Sequence, residues 1–240
     1  MDKYLYLAIN FSSILVPFLA SFYPKNPFYK NWKNYFIANL IVASFFIIWD
    51  ILFTKNGVWG FNNRYLIGTN FFNIPIEEVM FFFFIPYSSV FVYFSLNYLI
   101  KKNPLEKIQK QLTLILAVIL GIVSLIYWNH LYTSVTFILT SGYLFYNYQK
   151  KKDLSKIYFS YFFTLFFFFI INGILTGSFI DEPVVWYNNN QNLGIRIGTI
   201  PLEDIFYGFL LIALIIQLFE FLNTKTNNKM NVDKAQNARS

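Results

Sequence analysis

The sequence predicts an all-α membrane protein with seven transmembrane helices, built as two parallel three-helix repeats joined by one extra helix. Three observations carry this expectation. Of 240 residues 56% are hydrophobic and 13% charged, and the apolar residues fall in blocks about 20 long, the length an α-helix needs to cross about 30 Å of hydrocarbon. The alternation over about ten residues that marks barrel strands is missing. Finally, Asn73-Ile74-Pro75-Ile76-Glu77-Glu78 heads one apolar block and returns as Thr199-Ile200-Pro201-Leu202-Glu203-Asp204. A shift of 126 positions carries Asn62 onto Asn188, Asn63 onto Asn189, Gly68 onto Gly194, Pro75 onto Pro201 and Glu77 onto Glu203 without a gap.

Taken in order, the spans are Tyr4–Phe22, Tyr35–Phe53, Ile76–Ile100, Leu112–Trp128, Leu131–Tyr148, Ile157–Thr176 and Leu202–Leu222. The first has one Lys before it and no small-residue cleavage site, so it is expected to be an uncleaved span. The 126-residue shift maps the first span onto the fifth, the second onto the sixth and the third onto the seventh. The unmatched fourth restores the orientation that three fused spans would invert, so the repeats run parallel about an axis along the membrane normal. The expected division is a first repeat at 1–103, a linking helix at 104–129, a second repeat at 130–223 and a disordered cytoplasmic tail at 224–240.

The net charge of +7 sits in the loops between apolar blocks, where basic residues signal topology rather than nucleic acid. Counting Lys and Arg on alternate sides gives 15 against 4, which places the N-terminus outside and the C-terminus in the cytoplasm. Both acidic motifs then lie on the outer face. The loops before them, Thr54 to Ile74 and Gly177 to Ile200, are long and rich in Asn and aromatic residues, and are expected to fold back as caps over the acids.

Pro followed by acids at a helix start is an ordinary N-terminal signal, but two adjacent carboxyls repeated in both halves exceed what capping needs. Carboxylates at a membrane boundary are costly unless paired or protonated, and such an acid can give a proton and take one back. Glu77, Glu78, Glu203 and Asp204 are therefore the catalytic candidates. Asp50 and Asn172 occupy matched contexts, Trp49-Asp50-Ile51-Leu52 and Asn172-Gly173-Ile174-Leu175, as supporting residues. Arg64 and Arg196, one in each cap loop, are candidates to pair with a motif carboxylate, or else interfacial anchors. Asn62 and Asn188 join the supporting set, as does Tyr207, whose counterpart position holds Phe81. His130 reads as an interface residue.

What is missing narrows the chemistry further. There is no Cys, which excludes disulfides, thiolate metal sites and iron–sulfur clusters. No His cluster suits a metal, no Gly-rich dinucleotide fingerprint is present, and the six Asp residues form no pair of Asp-rich motifs. No Lys lies between Pro201 and Leu222 to hold a retinal Schiff base. The residues by themselves leave open acid–base catalysis on an apolar substrate, or a transporter or lipid-binding protein with acidic repeat sites.

Trp49-Asp50, Gly57-Val58-Trp59, Asn62 and Pro75-Ile76-Glu77-Glu78-Val79 in the first half, with Asn172, Leu175-Thr176-Gly177, Val185-Trp186-Tyr187-Asn188, Arg196 and Ile200-Pro201-Leu202-Glu203-Asp204 in the second, resemble the integral-membrane lycopene cyclases. These occur as heterodimers of two short subunits or as fused chains, and the sequence is similar to the fused bacterial form without the phytoene-synthase-like extension of the bifunctional fungal relatives. The resemblance implies cyclisation of the ψ ends of lycopene to β-ionone rings, giving γ-carotene and then β-carotene without redox change. It also implies a bacterial inner (plasma) membrane location, a carotenoid substrate taken from the bilayer, contact with membrane lipids, a possible complex with other carotenoid enzymes, no nucleic acid, no cofactor and no metal. One-ended or ε-type cyclisation differs from this in how the second end and the last proton are handled.

Overall fold

The structure is a computed structural model describing residues 2–237. Among them lie seven α-helices: α1 (Leu5–Ala20), α2 (Trp32–Lys55), α3 (Ile76–Leu99), α4 (Gln109–Ile126), α5 (Leu131–Gln149), α6 (Ser155–Leu175) and α7 (Leu202–Asn237). Each apolar block becomes one rod because a helix satisfies all its backbone groups internally, as lipid requires. Six of the seven are long and apolar enough to cross a membrane, and the chain is an all-α membrane protein. The exception, α5, is 19 residues long and owes its lower apolarity to Thr133, Thr136, Thr140 and Asn147. All four are fully buried against neighbouring helices, whereas its Ile138, Leu139 and Phe145 face outward. The same inside-out arrangement leaves Val16, Ile48, Leu125 and Phe162 exposed on other helices, a surface suited to lipid.

The expected tail is the part that differs. The helix of α7 continues past Leu222 to Asn237, through the stretch 224–237 for which a disordered tail was expected; the final three residues of that expectation lie outside the described residues. A polar run attached to a finished helix inherits its nucleus, and propagation adds one hydrogen bond per residue fixed.

Helix packing follows the repeat. Within each half α1 packs on α3, and α5 on α7; across the halves α2 packs on α7, and α6 on α3, while α4 lies against α5. Each acidic helix thus packs mainly on one helix of its own half and one of the other, and the two acidic helices also touch each other.

The cap loops do fold back. The first carries β1 (Trp59–Phe61), β2 (Asn70–Phe71) and β3 (Ile74–Pro75), and the second β4 (Val185–Tyr187), β5 (Arg196–Ile197) and β6 (Ile200–Pro201). Strands β2–β3 and β5–β6 are local hairpins, but β1 pairs antiparallel with β4, joining the two caps. The register is Trp59 with Tyr187, Gly60 with Trp186 and Phe61 with Val185. Gly60 and Trp186 are 126 positions apart, so the 126-residue shift maps this ladder onto itself. The flanking bonds repeat likewise: Asn62 N–H donates to the Val184 carbonyl at 2.8 Å and Asn188 N–H to that of Val58 at 2.9 Å. Gly60 is needed because a Cβ there would lie 2.3 Å from the Trp186 ring. Gly68 and Gly194, also 126 apart, meet nothing within 4 Å and are instead required by φ of +92° and +70°, a region L side chains rarely adopt.

Candidate functional site

Both acidic motifs start their helices in the same way. Pro75 and Pro201 close the hairpins in extended conformation, and the first helical N–H of each, Ile76 or Leu202, donates to a cap carbonyl, Thr69 at 2.9 Å or Ile195 at 3.0 Å. One residue on, Glu77 and Glu203 are fully buried. Glu77 Oε1 accepts the Ile67 N–H at 2.7 Å, and Glu203 Oε1 accepts the Leu193 N–H at 2.8 Å together with the Thr133 hydroxyl at 2.5 Å. Each therefore ties its cap to its own helix. Neither lines the central cavity.

The second acid of each motif does. Glu78 and Asp204 line a cavity of about 490 Å³ beneath the joined caps, together with Asp50, Asn172 and Tyr207. Apart from the hydroxyls of Ser12, Ser13, Ser88, Ser89 and Thr164 its other walls are apolar and aromatic, and no Lys, Arg or His lines it. Trp59, Tyr132, Tyr187 and Tyr207 form an aromatic roof, with Trp59 centred 5.0 Å from Tyr132 and 6.1 Å from Tyr207, and Tyr132 stacked on Tyr187 at 5.8 Å. The cavity also reaches Val16 of α1 and Phe167 of α6, which are exposed on the outer surface of the bundle. It thus opens sideways, toward where lipid lies, between adjacent helices.

The polar contacts of the two acids start alike and then diverge. Tyr6 donates to Glu78 Oε2 at 2.6 Å and Tyr132, its counterpart under the 126-residue shift, donates to Asp204 Oδ1 at 2.5 Å. Asp204 Oδ2 additionally accepts from Asn172 at 2.7 Å and from Tyr187 at 2.9 Å. Glu78 has no such second pair among the described residues. Asp50, the match of Asn172, is buried and takes the Trp59 indole N–H on Oδ1. Its Oδ2 has no hydrogen bond; the Thr54 hydroxyl, one turn on, stands beside it and is also unpartnered.

The remaining residues serve the caps. Asn62 and Asn188 each accept the N–H two residues on at 3.0 Å, starting a short turn, and Asn62 also donates to Glu182 at 2.8 Å. The expected pairing of arginine with a motif carboxylate does not occur. Arg64 forms ion pairs with Asp2 at 2.8 Å and Asp181 at 2.9 Å on the exposed face. Arg196 donates to the Thr199 carbonyl at 2.6 Å and to Asn189 at 2.8 Å, with its guanidinium over the Tyr187 ring. Both remain at the rim because burying a guanidinium among aromatic walls would strip its water for a single partner. His130 binds the Asn192 carbonyl through Nδ1 at 2.8 Å, a cap contact.

Tyr6 and Tyr132 escaped the sequence reading, although the shift that aligned the motifs also aligns these two, and so did Tyr187 as a partner of Asp204. Their signal is lost among 18 tyrosines. Only the packing of α1 on α3 and of α5 on α7 selects them.

A family model described as lycopene cyclase matches residues 3–96 and again residues 129–222. The chain belongs to the lycopene cyclase family. The two matched segments are themselves 126 positions apart, the shift that relates the acidic motifs, the tyrosine donors and the cap ladder. No curated protein and no solved structure matches the chain. In this chain the two matched segments meet at one cavity, and the carboxyls that line it come from both.

Proposed function

We propose that the protein is a lycopene β-cyclase, which closes the linear ψ ends of lycopene into β-ionone rings, giving γ-carotene and then β-carotene. The observation that carries this reading is the apolar, laterally open cavity with Glu78 and Asp204 at its head and no Lys, Arg or His in its lining. Ring closure by a carbocation needs a group that gives a proton, a group that removes one, and walls that tolerate a positive charge between them. Carboxyls supply the first two. The π faces of Trp59, Tyr132, Tyr187 and Tyr207 supply the third, since aromatic rings attract a cation by about 0.5–2 kcal/mol each, most when desolvated.

The lateral opening suits a long apolar substrate that stays in the bilayer while one end enters. Two ends are then treated in turn through one opening, with γ-carotene as the released intermediate. The placement of 15 basic residues on the tail side against 4 on the cap side orients the caps outward in a bacterial inner membrane.

The test is pigment chromatography of a lycopene-accumulating bacterium expressing this chain alone. β-Carotene is expected, with γ-carotene transient. γ-Carotene alone would make the enzyme one-ended, ε-ring products would reassign the proton lost, and unchanged lycopene with the protein in the membrane would contradict the reading.

A further inference from the structure

The two acid pockets are equivalent by descent in the chain but not in chemistry. Around Asp204 stand Tyr132, Asn172 and Tyr187, three donors on two oxygens. The matching positions around Glu78 are Tyr6, Asp50 and Phe61: the first keeps the donor, the second replaces an amide with a carboxyl, and the third lacks the hydroxyl. All but Asn172 and Asp50 correspond under the 126-residue shift, and those two by their matched contexts in α6 and α2. Asp50 and Glu78 both line the cavity, and no Lys, Arg or His lines it with them.

We propose that the cavity is polarised: the Asp50–Glu78 pair holds and delivers the proton, and Asp204, in its three-donor cradle, is the carboxylate that removes one. Two carboxyls lining one apolar cavity that holds no cation favour sharing a proton over both ionising. A carboxylate surrounded by donors is instead satisfied as an acceptor. This assignment rests on the cyclase reading and gives it a direction.

The step balances. The π electrons of the terminal C1=C2 bond of the ψ end take the proton from the pair, forming C2–H and leaving the cation at C1. The C5=C6 electrons then form the C1–C6 bond, moving the cation to C5. Asp204 removes the hydrogen at C6, whose bonding electrons become the C5=C6 double bond of the β ring. One proton enters, one leaves, and no electrons are gained or lost; Asp204 gives up its proton to water and the pair takes a new one from water, which resets the site.

The test compares ring products from lycopene in membranes carrying the wild-type chain, Asp50→Asn, Glu78→Gln, Asp204→Asn and Tyr187→Phe, each at matched protein level with co-purified lycopene as the check on binding. Wild-type conversion establishes the underlying reading, so its absence is distinguishable from failure of the assignment. Expected results are bound but unreacted lycopene for Asp50→Asn and Glu78→Gln, with conversion down about 100-fold or more, the scale of one general acid. Asp204→Asn still forms the cation but loses its selective base, and yields ε, γ or hydrated ends in place of β rings. Tyr187→Phe, the mildest change, shifts ring composition the same way. β-Ring formation at the wild-type rate in Asp50→Asn, or unreacted lycopene in Asp204→Asn together with unchanged products in Tyr187→Phe, would overturn the proposal.

Discussion

Glu77 and Glu78 are adjacent, yet a helix turns about 100° between them, so one carboxyl points to the cap and the other into the cavity. Their substitutions should separate stability from chemistry. Glu77→Ala leaves the half-buried Ile67 N–H without its partner, a loss of about 1 kcal/mol or more, and thermal unfolding in detergent should show it, with Glu77→Gln milder because Oε1 remains. Glu78→Gln should leave unfolding unchanged and lose conversion. The tyrosines separate the halves: Tyr6 is the single donor to Glu78 among the described residues and Tyr132 one of three on Asp204. Tyr6→Phe is therefore expected to slow conversion about tenfold or more, the scale of one hydrogen bond to a charged group at about 1.5–3 kcal/mol, and Tyr132→Phe less. Assayed side by side, equal losses would deny the difference between the pockets. The sequence showed that acids were doubled in each motif and could not show which of each pair turned inward, because that depends on where α3 and α7 begin relative to the cap hairpins. It also placed Arg64 and Arg196 beside the motifs in the chain, where the fold sends both guanidinia to the rim.

At the scale of elements, the β1–β4 ladder is three residue pairs long and yet is the direct backbone link between the caps. Its crossing depends on Gly60, which passes under the Trp186 ring. Gly60→Val should force the caps apart at a cost of about 1–3 kcal/mol, as overpacking does, and lower both melting temperature and conversion. Gly142 of α5, by contrast, has no neighbour within 4 Å of an added Cβ and should accept Ala with no such loss. The helices themselves were legible to within a few residues, since lipid imposes their length. The ladder was not: three-residue strands carry no period, and their partner lies 126 positions away. α7 shows the opposite failure, where low apolar content suggested disorder beyond residue 223 and the helix runs on to Asn237.

Across the whole molecule, the repeat turns from a sequence pattern into a working arrangement. α2 and α6 each pack on the acidic helix of the opposite half, and Glu78 and Asp204 reach one cavity from different halves. On the proposed reading each half supplies only part of the site. Segments 1–103 and 104–240 expressed as separate chains should each fail to convert lycopene and should together restore conversion, measured as pigment; activity of either alone would mean that each acid motif has its own site. The repeat and its parallel sense were legible because the chain crosses four spans, an even number, between the heads of α3 and α7. Convergence on one cavity was not, since it depends on the exchange of α2 and α6.

The central claim is that ring closure here is a proton added and a proton removed by carboxyls in that shared cavity. The most direct measurement is conversion of lycopene by the purified protein in lipid nanodiscs made up in deuterated buffer, with the products weighed by mass spectrometry. The account predicts one deuterium per ring closed, at C2, and therefore two in β-carotene. Cyclised product carrying no deuterium would contradict it.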